Sequence, residues 1–244
     1  MRWAEAVLLL LPVLHRCDSA KEPAAQREDP QPAPAVIAPP PDPTRIEAIT
    51  VPNDLPAYVL RGERAHRLTT VFVPGMCVHP EGYVMSFAHA AAAHGQLVGV
   101  QGDVACAPGS PFRRWSYDLE AMDRRIDAAL RAAGIEPRTI TLIGYSQGAE
   151  RAEKLMARFP EKYVSGVLIA SPVAPSPALL GRARSIVLMA GTFDGAFATM
   201  RDAAGRLQRA KVPAAFFALP NARHGQMGDH PDPSIREALD FIDP

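Results

Sequence analysis

Residues 139–148 carry a short apolar run, Ile140, Leu142 and Ile143, that stops at a glycine. So brief and so β-branched a run predicts a strand buried on both faces. It leads into Gly144-Tyr145-Ser146-Gln147-Gly148, the Gly-x-Ser-x-Gly pattern of a strand reversing tightly into a helix. The reversal forces Ser146 toward positive φ, and a side chain two residues to either side would collide with the neighbouring strand and helix. Glycine removes the clashing Cβ. The serine hydroxyl then stands exposed above the sheet. The Gln147 N–H lies at a helix N-terminus with no intrahelical partner and is free to bind an oxyanion. With 17 glycines in 244 residues, the pentapeptide would arise by chance in roughly one such chain in twenty, so its surroundings must carry the argument.

The surroundings alternate. Strands are expected at 68–73, 97–100, 164–170, 185–190 and 214–219 beside the one before Ser146. Residues 82–94 are Ala-rich and read as a helix ended by Gly95. Residues 117–133 place Leu119, Met122, Ile126, Ala129 and Leu130 at helical spacing, with Gly134 as the cap. Further helices are expected at 147–159, stopped by Pro160, at 197–207 and at 232–242. Residues 46–51 and 57–60 read as two edge strands around Pro52-Asn53-Asp54-Leu55-Pro56. Such alternation argues an α/β fold, a mostly parallel central sheet with helices on both faces. Ligands of such sheets bind outside the carboxyl ends of the strands, and Ser146, Asp194 and His224 fall at those ends. The connector 171–184 is short and proline-rich, with little or no room for a helical lid, so an open site is expected. The loop 101–116 is long enough to be functional or floppy, and it carries Cys106, Phe112 and Trp115.

At 48% hydrophobic content the chain can bury one substantial core, and one catalytic domain, 46–244, is expected. Charge is balanced, 26 basic residues against 26 acidic, with no basic block, so nothing favours a nucleic-acid partner. Residues 1–20 resemble an export signal: eight apolar residues, 7–14, are interrupted by Pro12 and are too few to span a bilayer. Leu14-His15-Arg16-Cys17 has the leucine and cysteine of a lipoprotein signal, although His15 and Arg16 stand where small residues are usual. The protein is therefore expected to be exported, periplasmic or secreted, or else anchored through Cys17. Residues 21–45 include eight prolines between positions 23 and 43 and almost no large apolar side chains. They predict an extended tether to an envelope or membrane, or a leader with no role.

A serine hydroxyl becomes a good nucleophile only when a base takes its proton and a third group fixes the tautomer of that base. The chain supplies Ser146, then Asp194 in Gly191-Thr192-Phe193-Asp194, then His224 in Arg223-His224-Gly225. His79, His89, His94 and His230 lack the paired spacing of a metal site, and neither a metal nor an organic cofactor is indicated. Asp229 and His230 lie beyond the usual position and are the weaker acid and base.

On these three motifs the chain from about Leu68 onward resembles the α/β-hydrolase superfamily, in particular its esterases, lysophospholipases and dienelactone hydrolases. The resemblance implies nucleophile Ser146, acid Asp194 and base His224 in that order, and oxyanion donors Gln147 and Met76. Pro74-Gly75 departs from the His-Gly pair common before that second donor. It further implies a carboxylesterase-like serine hydrolase acting on a small-molecule or lipid-like acyl substrate; acyl transfer, thioester or peptide cleavage, and a non-catalytic binding protein remain open. Tyr145, Phe112, Trp115 and Phe193 are candidates for an apolar acyl pocket, each equally readable as core. In this architecture Cys77 and Cys106 follow adjacent strands. A bridge between them would pin the Met76 loop, provided the Cα atoms lie within about 7 Å.

Overall fold

The computed structural model describes Asp42, residues 44–62 and residues 67–244; the expected export signal, Cys17 and most of the proline-rich segment lie outside the described residues. In chain order the elements are β1 (Ile46–Ile49), β2 (Ala57–Leu60), β3 (Leu68–Val73), α1 (Pro80–Ser86), α2 (Ala88–His94) and β4 (Gly95–Gly99). A small hairpin, β5 (Val104–Ala105) and β6 (Arg113–Arg114), precedes α3 (Leu119–Ala132), β7 (Ile140–Tyr145), α4 (Gln147–Arg158) and β8 (Tyr163–Ile169). The chain ends through α5 (Pro177–Leu180), β9 (Ser185–Gly191), α6 (Phe197–Arg209), β10 (Ala214–Leu219) and α7 (Pro231–Ile242).

Eight strands form one sheet in the order β1-β2-β4-β3-β7-β8-β9-β10. Pairing is antiparallel from β1 to β4 and parallel from β4 onward. Every residue of β7, β8 and β9 is buried, which is what apolar runs without alternation require when both faces are covered. On one face Met122 and Ile126 of α3, Ala152 and Leu155 of α4 and Met200 and Ala203 of α6 pack against the sheet. On the other face Val84 of α1, Ala91 of α2 and Ile235 and Leu239 of α7 do the same. The mostly parallel sheet and its two helical layers agree with the alternation in the sequence. No helix among the described residues is long and apolar enough to cross a membrane.

Two expectations are corrected. Strand β2 is not an edge: it lies between β1 and β4, pairing Tyr58, Val59 and Leu60 with Gly99, Val98 and Leu97, and Val59 and Leu60 are fully buried. Its proline-flanked turn concealed this, because the prolines lie outside the paired residues. The single helix expected at 82–94 is two. Phe87 leaves helical geometry at φ −134°, and its buried ring packs edge-on against Phe72 at 5.8 Å. The loop 101–116 is tied down by the β5/β6 hairpin, and Cys77 and Cys106 are joined by a disulfide with Cα atoms 5.8 Å apart.

A carboxylate buried in α4 makes stability depend on pH. Glu153 is only 3% exposed and accepts a hydrogen bond from the Ser176 N–H at 2.7 Å. Burial pushes its pKa up to about 7, against the pull of that bond and of Lys154. A carboxyl whose pKa is higher folded than unfolded stabilises the fold while protonated, and that stability drains away as pH rises from about 4.5 through about 7. The loss amounts to at most about 3 kcal/mol. Glu153→Gln should therefore gain stability over the parent at pH 8 but not at pH 5, as read from urea unfolding midpoints. A gap that does not widen with pH would contradict the assignment.

Candidate active site

Ser146 joins β7 to α4 at φ 51° and ψ −119°, a conformation costing of order 1–3 kcal/mol that its surroundings enforce. Its N–H donates to the Ile169 carbonyl at 2.8 Å, fixing the turn to β8. Both flanking glycines are required by space. A Cβ on Gly144 would stand 2.6 Å from the Cα of Ala149, and one on Gly148 would stand 2.5 Å from the Pro74 carbonyl oxygen.

The Ser146 hydroxyl donates to His224 Nε2 at 2.9 Å, and His224 Nδ1 donates to Asp194 Oδ2 at 2.9 Å. Asp194 follows β9 in a turn closed by its own N–H on the Gly191 carbonyl, and its Oδ1 accepts from the Ala196 N–H at 2.9 Å. The carboxylate is buried while the imidazole is half exposed. With Nδ1 held by a carboxylate, Nε2 is left as the lone-pair nitrogen facing the hydroxyl.

Two tyrosines hold the loop that carries His224. The Gly225 N–H donates to the Tyr145 hydroxyl at 2.6 Å, and the Tyr83 hydroxyl donates to the Gly225 carbonyl at 2.9 Å. Their rings lie 5.0 Å apart, and that of Tyr145 is 5.8 Å from the His224 imidazole. Burial raises the pKa of both hydroxyls, so both keep their protons at neutral pH. Tyr145 is thus buried as a brace rather than exposed on a pocket wall. Tyr83 carried no motif in the sequence that would have singled it out.

Met76 and Gln147 have no hydrogen-bond acceptor for their backbone N–H among the described residues. The loop bearing Met76 runs close to the serine, since a Cβ on Gly75 would lie 3.2 Å from Ser146 Cβ. That loop and the turn at Ser146 are locked together through Trp115. The Gln147 side chain accepts from the Trp115 N–H at 2.9 Å and donates to its carbonyl at 3.3 Å, while the indole N–H donates to the Pro74 carbonyl at 2.9 Å. Trp115 is 1% exposed, which corrects its reading as a pocket wall: its N–H needed a partner, and the partner lies in the core. Phe112 is half exposed and lines a cavity of about 550 Å³ beside the site. Phe193 is exposed and does not line that cavity; its ring lies 5.8 Å from the Arg223 guanidinium.

Cys77, next to Met76, is fixed by its disulfide to Cys106 and by its N–H on the Arg113 carbonyl at 2.8 Å. The remaining histidines take no part. His79 Nε2 meets the Tyr58 hydroxyl at 2.8 Å, and His94 is buried between the Ala90 carbonyl and Asp240. Asp229 accepts from the Asn221 side chain, and His230 precedes α7. No cluster of three metal-binding side chains occurs among the described residues.

No protein-family model matches the sequence, and no curated protein matches it. Among solved structures, a hyperthermophilic esterase from Pyrobaculum calidifontis superposes with a TM-score of 0.58 at 17% identity, over 82% of this chain and 85% of its own. The Bacillus cereus carboxylesterase gives 0.57 at 18% identity, over 75% and 92%. A CIB-like hydrolase from Thermoplasma acidophilum gives 0.59 at 14%, over 81% and 97%. At these identities the likeness speaks for architecture, and together with the sheet order and the turn at Ser146 it identifies the chain as an α/β-hydrolase-fold protein.

Proposed function

We propose that the protein is a serine hydrolase that cleaves carboxylic esters through an acyl-enzyme on Ser146. The observation that carries this reading is the unbroken series of hydrogen bonds from the Ser146 hydroxyl through His224 to Asp194, 2.9 Å at each step. In the first half-reaction Ser146 Oγ attacks the ester carbonyl as its proton passes to His224 Nε2. Asp194 stabilises the imidazolium without taking the proton. The carbonyl oxygen becomes an oxyanion beside the N–H groups of Gln147 and Met76, each such donor being worth about 10²–10³ in kcat. Collapse breaks the bond to the alcohol, which leaves with the proton from His224. Water then gives its proton to His224 and attacks the acyl-enzyme, and release of the acid restores Ser146.

The esterases among the structural neighbours favour an ester as the scissile bond, and an open site with no helical lid among the described residues suits a small substrate. Export fits the Cys77–Cys106 disulfide, a bond that persists in oxidising compartments. The test is covalent labelling. A fluorophosphonate probe should phosphonylate the protein with one equivalent, mapped by mass spectrometry to the peptide containing Ser146. Labelling elsewhere, or labelling that survives Ser146→Ala, rejects the assignment.

A further inference from the structure

We propose that the cavity beside Ser146 takes an uncharged apolar chain of the ester, several carbons long, and that Gly82 keeps this cavity open. The inference rests on the ester-hydrolase reading above and deepens it to a substrate class.

The cavity, about 550 Å³, is walled by the residues that directly follow the two site loops: Cys77 to His79 after Met76, and Gly225 to Gly228 after His224. Helix α1 supplies a third side through Gly82, Tyr83 and Ser86, and Phe112 and Pro231 complete it. A chain attached to an ester held between Ser146 and the candidate oxyanion donors therefore has this space next to it. The volume falls within the range of small-molecule sites, roughly 300–1,000 Å³, and exceeds what an acetyl group needs.

The chemistry of the walls selects against charge. Among the described residues no Asp, Glu, Lys or Arg lines the cavity, while Val78, Tyr83, Phe112, Met227 and Pro231 offer apolar surface. Several of the polar groups present are already engaged, and the Gln226 side chain accepts from the Arg223 N–H at 3.0 Å. The Tyr83 hydroxyl donates to the Gly225 carbonyl, the Ser86 hydroxyl to the Tyr83 carbonyl at 2.7 Å, and His79 Nε2 meets the Tyr58 hydroxyl. A charged substituent would give up hydration here without meeting an opposite charge from Asp, Glu, Lys or Arg among the described lining residues, whereas a methylene loses nothing.

The wall is built rather than loose. Phe112 lies in the hairpin loop, where its carbonyl accepts from the Cys106 N–H at 3.1 Å. The disulfide and the bond from the Cys77 N–H to the Arg113 carbonyl fasten the hairpin to the loop after β3. A wall fixed in advance spends little affinity on ordering.

Gly82 stands in the cavity wall and is exposed. Inside a helix glycine costs about 0.5–1 kcal/mol against alanine, yet no crowding demands it here: a Cβ built at Gly82 meets nothing within 4 Å. What its small size preserves is the open space in front of it, and a larger side chain at this position would stand in the cavity. Each methylene buried by a substrate is worth about fourfold in affinity for the transition state.

The experiment compares two ester series, one lengthening the acyl group from acetate to decanoate and one lengthening the alcohol of an acetate ester. Both are measured with the parent, Gly82→Ala and Gly82→Phe. In the parent, kcat/KM should climb at least tenfold from the shortest to the best member of one series. Gly82→Phe should lower that long-to-short ratio at least tenfold, with Gly82→Ala in between and thermal unfolding of both variants reported alongside. The series that responds identifies which end of the ester carries the chain. Fluorophosphonates bearing ethyl or octyl groups give the same ratio as labelling rates, without turnover. A ratio unchanged within twofold in both variants and in both series, or a parent profile flat with length, overturns the cavity assignment while leaving Ser146 untouched. Ester turnover that survives Ser146→Ala instead removes the reading on which the inference rests.

Discussion

Ser146→Ala is expected to lower kcat/KM for a preferred ester by about 10⁵–10⁶, and Asp194→Asn by about 10⁴, with the double variant no worse than Ser146→Ala alone. The sizes follow from the arrangement. Without the hydroxyl there is no atom to acylate, and what remains is binding and the N–H groups of Gln147 and Met76. Asparagine at 194 keeps the volume but presents an N–H or a neutral oxygen to His224 Nδ1 where a buried carboxylate now accepts at 2.9 Å. The imidazole would then favour the tautomer with its proton on Nε2, which cannot accept the serine proton. In the proposed mechanism Asp194 acts only through His224 and His224 only through Ser146, so the losses should not multiply. Steady-state kinetics on the three variants decide it: a double variant markedly slower than Ser146→Ala would mean that Asp194 contributes to residual turnover by a separate route.

The parts legible in the sequence are the parts made locally. The turn at Ser146 is encoded within ten residues, since the apolar run, the two glycines and the start of the helix that follows all lie inside 139–148. Asp194 and His224 could be placed because each follows a strand of recognisable length, and the carboxyl ends of parallel strands lie on one rim. The supports of the site were not legible. Trp115 braces Pro74 and Gln147 from positions 41 and 32 residues away, and Tyr83 reaches Gly225 across 142. No periodicity or composition records such pairings. The break at Phe87 was hidden for the same reason: what stops the helix is a buried ring packed on β3, a tertiary contact overriding an alanine-rich propensity. Strand β2 was misplaced because its flanking prolines suggest an edge, whereas strand order is settled by partners distant along the chain.

One substitution, glycine to alanine, should have opposite outcomes in two helices. At Gly205, within α6, the nearest atom to a new Cβ is the flexible end of Arg209 at 3.4 Å, so Gly205→Ala should stabilise by about 0.5–1 kcal/mol through the lower entropy of the unfolded chain. At Gly148, in the first turn of α4, the new Cβ would lie 2.5 Å from the Pro74 carbonyl oxygen and closer still to that of Val73. Both are backbone atoms of the strand and loop beneath the helix, so no rotamer change relieves the clash. Overpacking of this kind costs about 3 kcal/mol, which for a chain of this size lowers Tm by about 6–12 °C. The strain has one outlet, because Pro74 leads into Gly75 and Met76. Moving that segment pulls the Met76 N–H away from Ser146 and strains the bond from Trp115 to the Pro74 carbonyl. Gly148→Ala should therefore lose at least tenfold in fluorophosphonate labelling rate at a temperature where it is still fully folded, while Gly205→Ala labels like the parent. A Gly148→Ala protein that melts lower yet labels at the parental rate would show that the helix absorbs the displacement and that the loop bearing Met76 keeps its place beside Ser146.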